Sequence, residues 1–201
     1  MKRHYCKLFI LFLLFPFKSF AQQPVIFKGK NLVIGNHVSI LEDTTNSLRL
    51  ADVMNSAGFA NSDVPIPNLK LNRSDFWLKF SVKNMTDKDH LILALEYPML
   101  GTCEFYSPPD GKAQKLSYYE AFSQRKYKHQ NFLFDIYLRP GNTETYYLRV
   151  KSTEQMVLPL ILGSPKIIAE KLLANDLAWG IFIGLILVMV VYNFFIYLSV
   201  R

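Results

Sequence analysis

The sequence is poor in the residues that form metal sites and disulfides. Cysteine occurs twice among 201 residues, at Cys6 and Cys103, and histidine occurs four times. The histidines form no HExxH motif and the cysteines form no CxxC pair, so metal-ligand spacing is missing. A G-x-S-x-G turn and a phosphate-binding glycine loop are also absent from the sequence. We therefore expect no metal, no cofactor and no enzymatic activity.

The chain begins with a segment that is typical of secretory signal peptides. Basic residues precede an apolar run over residues 8–17, and small residues occupy positions 19 and 21, just before Gln22. The apolar run is too short to cross a bilayer, which needs roughly 20 residues. We expect residues 1–21 to be a signal peptide that is cleaved after Ala21. An uncleaved N-terminal anchor is the alternative.

The excess of positive charge lies mostly in that segment. The chain has 23 basic and 16 acidic residues, and residues 1–21 contain four of the basic ones and no acidic one. The rest of the chain therefore has a net charge of only about +3, and its basic residues are scattered. This distribution argues against a nucleic-acid partner.

Cys103 is the single cysteine after the signal peptide. An exported domain with one cysteine has no internal disulfide, so its hydrophobic core must stabilise it. Cys103 alternates with Phe105 along a predicted strand, which indicates a buried small apolar side chain. An intermolecular disulfide is the alternative.

Residues 22–163 show the period of two that is typical of β-strands. In residues 75–84 an apolar set alternates with a set that contains Trp77 and two lysines. Further alternating segments occur at 31–35, 37–43, 90–97, 102–107, 131–138, 143–152 and 157–162. Turn-forming residues separate them, and only residues 47–55 suggest a short helix, with Ser47 as its cap. The pattern predicts a mainly β fold, an antiparallel β-sandwich or jelly roll.

The pattern changes to a long helix at residue 164. Ser164 is suited to cap a helix and Pro165 to be its first residue. We expect a juxtamembrane helix over 164–176, a transmembrane helix over 177–198 and a cytoplasmic end over 199–201. The uncharged segment 177–198 would span about 33 Å, enough to cross a bilayer. Because the chain is exported, the sandwich is expected in the periplasm and the helix in the inner (cytoplasmic) membrane, as a single pass.

Three residues of the transmembrane segment suggest contact with another helix. Gly180 and Gly184 form a small-xxx-small pattern, and Asn193 is a polar residue in an apolar environment. The neighbour would be a second copy of the chain or other transmembrane helices. The alternative is that glycine is simply common in membrane helices and that Asn193 lies near the inner headgroups.

Several segments together resemble a bacterial receptor family. They are residues 75–84, 131–152 and 158–165, followed by the glycine-containing helix with Tyr192-Asn193. In this order they resemble the seven-transmembrane receptors with diverse intracellular signalling modules (7TMR-DISM), specifically the second type of extracellular domain, from about residue 33 to the end. The resemblance implies a jelly-roll periplasmic domain, similar to carbohydrate-binding modules, joined to a seven-helix unit and an output module such as a histidine kinase or diguanylate cyclase. Since only the first of seven helices is present, we expect a truncated receptor.

Residues 116–131 combine aromatic rings with hydrogen-bond donors, as sugar-binding surfaces do. Flat rings stack on the C–H groups of a sugar, and Arg, His or Asn side chains bind its hydroxyls. The candidate ligand-binding residues are Tyr118, Tyr119, Phe122, Arg125, Tyr127 and His129, with Trp77 as a second candidate position. The alternative is that these aromatic residues only cover the core.

The sequence therefore favours the ligand-sensing ectodomain of a membrane receptor, with a carbohydrate or another small molecule as its ligand. A second hypothesis is a stand-alone membrane-tethered module that dimerises through Gly180 and Gly184. A periplasmic glycan-processing enzyme is the least favoured, because no acid/base pair of carboxylates stands out.

Overall fold

The structure is a computed structural model that describes residues 23–107 and 111–200. The predicted signal peptide and the last residue, Arg201, lie outside the described residues. The strands are β1 Val25–Phe27, β2 Leu32–Val33, β3 Ser39–Asp43, β4 Ala60–Asn61, β5 Asn68–Leu71, β6 Asp75–Asn84, β7 His90–Leu95, β8 Thr102–Tyr106, β9 Ala113–Ser117, β10 Phe132–Tyr137, β11 Thr143–Lys151, β12 Gln155–Val157 and β13 Leu160–Gly163. The α-helices are α1 Leu50–Met54 and α2 Pro165–Val200, and the 3₁₀ turns are Gly35–His37 and Phe122–Gln124.

The strands form two main sheets. The larger sheet has seven strands in the order β4-β3-β6-β11-β8-β9, with β1 also paired to β6, and the smaller sheet has the order β10-β7-β13-β2. A short third sheet pairs β12 with β5. The pairs are antiparallel except that β1 runs parallel to β6. The predicted mainly antiparallel sandwich is thus confirmed, with one parallel pair that the sequence pattern did not reveal.

The main core lies between the two sheets, where the inward-facing side chains of the alternating strands meet. From β6 the core receives Phe76, Leu78, Phe80 and Val82, as the alternation predicts. Leucines of β7 and phenylalanines of β10 pack against them from the smaller sheet. Cys103 lies fully buried in this core as a free thiol, which confirms the prediction of a buried small apolar side chain. Burial raises the pKa of the Cys103 thiol, so its reactive thiolate form is disfavoured.

The outer face of the larger sheet carries a second, smaller core around Trp77. The Trp77 side chain is fully buried against Val53 and Tyr147. Residues 44–59, which we call the cover segment, lie over it and contribute Leu48, Leu50 and Phe59 to this cluster. Trp77, the second candidate position for ligand binding, is therefore covered, because a distant segment lies over the face on which it stands.

Two buried carboxylates, Asp43 of β3 and Asp75 of β6, lie opposite each other at one end of this arrangement. Asp43 Oδ1 accepts hydrogen bonds from the Thr45 N–H (3.1 Å) and hydroxyl (2.6 Å), and Asp43 Oδ2 accepts from the Leu48 N–H (2.9 Å). Asp75 Oδ2 accepts from Arg149 Nη2 at 2.6 Å and from Arg149 Nε at 3.0 Å. The Arg149 guanidinium in turn lies over the Trp77 ring, 5.5 Å from its centre.

The helix α1 starts at a different cap from the one predicted. Ser47 Oγ lies 2.8 Å from Thr45 Oγ1, while Arg49 occupies the capping position. The Arg49 N–H donates to Asp52 Oδ2 at 3.0 Å, so an acidic side chain inside the helix satisfies the first backbone donor.

The helix α2 begins on the outer face of the smaller sheet and then leaves the sandwich. Its start confirms the prediction, because the Ile168 N–H donates to the Ser164 carbonyl at 3.0 Å. Ile168 and Leu172 pack on the sheet residues Ile92, Ala94, Leu133 and Ile161. A Cβ at Gly163 would lie 2.8 Å from Ile168 Cδ1, so glycine permits this close turn from strand to helix. From Leu173 onward the apolar side chains of α2 are exposed, and among the described residues α2 is the one helix long and apolar enough to cross a membrane.

Candidate functional site

The segment that joins β9 to β10 lies along the side of the sandwich and contacts α2. We call residues 118–131 the connecting loop. Its anchor is Arg125, which is buried and donates from Nη2 to the Ser117 carbonyl at 3.0 Å. Nη1 of Arg125 donates to the carbonyls of His129 (3.0 Å) and Gln130 (3.1 Å). Arg125 was predicted to bind ligand hydroxyls, but its donors Nη1 and Nη2 fix the fold of the loop itself.

Tyr127 and its neighbour Lys126 bind a carboxylate on β10. Asp135 Oδ1 accepts a hydrogen bond from the Tyr127 hydroxyl at 2.6 Å, and Oδ2 accepts from Lys126 Nζ at 2.5 Å. His90 Nε2 lies 2.8 Å from the same Oδ1. The backbone of Asp135 is bound as well, since Gln114 Nε2 donates to its carbonyl at 2.9 Å and its N–H donates to Gln114 Oε1 at 3.1 Å.

These contacts shift the protonation of the groups involved. Burial pushes the pKa of Asp135 upward, but the hydrogen bonds from Lys126, Tyr127 and His90 outweigh it and hold the pKa below its usual value. The hydrogen bond to Asp135 raises the pKa of Lys126, and burial together with the same carboxylate raises the pKa of Tyr127. The cluster therefore combines an ionised carboxylate with a protonated ammonium and a protonated phenol at neutral pH.

A groove lies between the edge strands β9 and β10, next to Asp135. We call it the edge groove; its volume is about 450 Å³. It is lined by Gln114, Lys115, Leu116, Gln124, Lys126, Leu133, Phe134, Asp135 and Tyr137. The Tyr137 ring is 64% exposed and stacks on His90, with 4.8 Å between the ring centres. A flat exposed ring thus lies beside amide, ammonium and carboxylate groups, the combination that binds a polar organic molecule.

Sequence reasoning missed the groove residues Gln114, Gln124, Asp135 and Tyr137. The sequence does contain one indication of this cluster, because Asp135 is the single acidic residue in the otherwise apolar run 132–138. An acid in a buried strand needs partners, so it indicates a polar cluster. Gln114 lies in a strand that the alternation did not reveal.

A second cavity, of about 820 Å³, lies between the connecting loop and α2. We call it the junction cleft. Its walls include Phe122, Lys128 and His129 from the loop, and Trp179 and Ile183 from α2. One ion pair and one contact between a histidine and a carboxylate lie at this junction.

One ion pair and one histidine–carboxylate contact join α2 to the sandwich. His129 Nε2 lies 3.4 Å from Asp176 Oδ2, and Lys171 Nζ lies 2.5 Å from Glu96 Oε1. His129 Nδ1 accepts a hydrogen bond from the Asn131 N–H at 3.0 Å, which orients the ring toward α2. His129 was predicted as a ligand-binding residue, and the structure places it at this junction.

The predicted binding residues therefore do not form one site. Tyr127 binds the groove residue Asp135, His129 lies at the junction cleft, and Arg125 lies inside the loop. Trp77 lies on the other sheet, fully buried. Tyr118 and Tyr119, the first two residues of the loop, are exposed, with their rings edge to face 5.7 Å apart.

The residues predicted to pack against another helix lie on the free part of α2. A Cβ added at Gly180 or Gly184 would have no atom within 4 Å, so both positions are open. Asn193 Nδ2 donates to the Met189 carbonyl one turn earlier, at 2.8 Å. Contact with a neighbouring helix stays a prediction.

In the part of the chain that the structure describes, no group of three His, Cys, Asp or Glu side chains is placed to hold a metal ion.

Comparison with known proteins supports the resemblance seen in the sequence. No curated protein matches the chain. The model of the family described as 7TMR-DISM extracellular 2 matches residues 35–164, which run from the 3₁₀ turn after β2 to the residue before α2. The chain therefore belongs to the 7TMR-DISM extracellular 2 family: it is a sensing domain of the extracellular type followed by a membrane helix.

Proposed function

We infer that the chain senses a small polar molecule, with a carbohydrate as the best match, in the edge groove. The observation that carries this proposal is the exposed Tyr137 ring beside the bound carboxylate of Asp135. In the proposal the sandwich lies in the periplasm and α2 crosses the cytoplasmic membrane once. The groove binds without catalysis, because the carboxylate of Asp135 is held by hydrogen bonds on both of its oxygens.

The groove has the features of a site formed before its ligand arrives. Asp135 is fixed by its side chain and by its backbone, and the Tyr137 ring is held against His90. Lys126 uses one of its three N–H donors on Asp135, so others remain for a ligand hydroxyl. Binding to such a rigid site costs little ordering entropy, which favours a small ligand.

The connecting loop gives the groove a direct route to α2. Lys126 and Tyr127 contact the groove carboxylate, and His129, two residues later, pairs with Asp176 of α2. A ligand that draws Lys126 away from Asp135 therefore shifts the loop and changes the contact between His129 and α2. A ligand shifts a conformational equilibrium when it binds one of the two conformations more tightly than the other.

The test uses the chain in phospholipid nanodiscs and calorimetric titration with a panel of neutral mono- and oligosaccharides. Replacing Tyr137→Ala should weaken binding of an active sugar by about fivefold, because a stacked ring contributes on the order of 1 kcal/mol. Tyr119→Ala is the matched control, since Tyr119 is similarly exposed but lies outside the groove. A sugar that binds equally well to Tyr137→Ala, or a panel with no binder, would contradict the proposal.

A second role for α2 is association with another transmembrane helix through Gly180 and Gly184. The observation that favours it is that both glycines are open to close approach of a neighbouring backbone. Replacing both glycines with isoleucine should abolish association in a membrane two-hybrid assay. Replacing Val188 and Val191, which are exposed apolar residues of the same helix, with isoleucine is the control. Unchanged association of the glycine variant excludes this role.

A further inference from the structure

We propose that the tip of the connecting loop rests in the headgroup layer of the membrane and that the junction cleft holds a phospholipid headgroup. We use the word tip for three exposed aromatic residues in the first part of the loop, Tyr118, Tyr119 and Phe122. The proposal concerns a contact with lipid and is independent of the ligand in the edge groove.

The first observation is the position of the loop beside α2. Asp176 is the last charged residue before the long apolar stretch of α2. Trp179 and Ile183 follow it, and both line the junction cleft together with Phe122 and Lys128 of the loop. Since Trp179 and Ile183 begin the segment that enters the bilayer, this part of the loop lies at the level of the lipid headgroups.

The second observation is the exposure of the aromatic side chains at the tip. The exposed fractions are 53% for Tyr118, 71% for Tyr119 and 49% for Phe122. Exposed rings of this size are costly in water, whereas tyrosine and tryptophan rings are favoured at the membrane interface. Met99, in the loop after β7, is also half exposed, and its neighbour Pro98 lines the same cleft. The apolar surface therefore continues from one loop to the next.

The third observation is the charge of the cleft. Glu96 forms an ion pair with Lys171, and Asp176 Oδ2 lies 3.4 Å from the neutral His129 ring. Lys128 also lines the cleft, and within residues 23–107 and 111–200 it has no ion-pair partner. Its ammonium is thus available to a phosphate, while Phe122 and Trp179 offer apolar contact to the adjoining part of the lipid.

The opposite end of the sandwich differs in character. The ends of β7 and β10 that meet at His90 and Tyr137 lie away from the exit of α2, since α2 is bound at the other end, at Glu96. The hairpin 85–89 lies at this far end and contains Asp87, Lys88 and Asp89. The far end therefore supplies a matched control surface.

The test measures how deeply single positions reach into lipid. The full chain carries Cys6→Ser and Cys103→Ala, a single new cysteine with a fluorescent label, and is reconstituted in phosphatidylethanolamine/phosphatidylglycerol vesicles. The labelled positions are Phe122→Cys, Tyr119→Cys and, as the control, Met85→Cys, which is 55% exposed in the wild type. Tyr119 is the second probe because it is the most exposed residue of the tip, so its replacement disturbs the fold least.

The expected result is that lipids with a nitroxide on the headgroup quench the labels at 119 and 122 several-fold more than the label at 85. Iodide in the water should show the reverse order. Labels at 119 and 122 that are quenched as weakly by the lipid as the label at 85 would overturn the proposal. Labels that neither quencher reaches would overturn it too, because they would show that a protein covers the tip.

A charge variant tests the cleft itself. Lys128→Gln should lower the quenching of the label at 122 by headgroup nitroxide, because the contact with the phosphate is lost. Lys112→Gln, an exposed lysine just before β9, should leave it unchanged. Equal values for the two variants would contradict the assignment of Lys128 to a headgroup.

Discussion

The outer faces of the two sheets are both covered, but by segments of different kinds. On the larger sheet the cover segment lies over Trp77, and the buried carboxylates Asp43 and Asp75 hold its surroundings in place. On the smaller sheet the start of α2 packs through Ile168 and Leu172. The first cover remains within the domain, whereas the second is part of a helix that continues for 28 residues beyond Leu172, as α2 ends at Val200.

This difference indicates a division of labour between the two faces. Trp77 is fully buried under the cover segment, and the neighbouring carboxylates Asp43 and Asp75 are buried, so this face adds stability and leaves little freedom to move. The contact with α2 rests on an apolar cluster, on the partly exposed ion pair Lys171–Glu96 and on the contact of His129 with Asp176, and these polar contacts contribute little each. A weak contact can be altered by small changes in the connecting loop, and α2 carries any such change toward the membrane.

The largest effect is expected on the face of the larger sheet. Trp77→Ala should reduce the free energy of unfolding by about 3–5 kcal/mol, because it leaves a large cavity in a fully buried cluster. Chemical denaturation of the nanodisc-bound chain, followed by tyrosine fluorescence, measures it. Tyr137→Ala, at an exposed ring, is the control and should change the value by less than about 0.5 kcal/mol. Similar values for the two variants would show that the cover segment does not stabilise the domain.

A smaller effect is expected where α2 is docked. Leu172→Ala should reduce stability by about 2–3 kcal/mol, toward the lower end for a buried leucine, because its side chain is 7% exposed. The neighbouring Leu173 is 70% exposed, so Leu173→Ala is a matched control on the same helix and should have little effect. Equal loss in the two variants would mean that the helix is not held by the face that carries Leu172.

The smallest effect on stability is expected at acid pH, where carboxylates on both faces become protonated. Hydrogen bonds hold the pKa of Asp43 and of Asp135 below their ordinary value of 3.8, in spite of burial, which acts in the opposite direction. Because the folded-state pKa is the lower one, these carboxylates stabilise the fold above pH 3.8, and the contribution is lost as the pH falls through the folded-state values. Stability should thus decrease from about pH 5 to about pH 3, and less steeply in Asp135→Asn. A variant with an unchanged slope would show that Asp135 is not the group that titrates.

The sandwich could be predicted from the sequence because alternation marks the strands that face the main core. Alternation does not tell whether the other face meets water or a distant segment, and Trp77 was therefore assigned to the surface. The run 157–162 was predicted as one strand, but Pro159 has no N–H to donate, and the strand is divided into β12 and β13.

The candidate site was less predictable than the fold. The sequence drew attention to the connecting loop, where His129 lines the junction cleft and Tyr127 binds the groove residue Asp135. The edge groove also needs Gln114 and Tyr137, which come from different strands, and their approach follows from the pairing of sheets and not from local pattern. Asp135, an acid within an apolar strand, is the one residue whose sequence context indicates the polar cluster.

The central claim is that the connecting loop links the edge groove to the start of α2, and hydrogen exchange tests it directly. Asp135→Asn and the wild type are compared in nanodiscs by mass spectrometry. We predict faster exchange in the connecting loop and in residues 166–176 of α2, with no change in the cover segment. Faster exchange confined to the strands around position 135, with α2 unchanged, would contradict the claim.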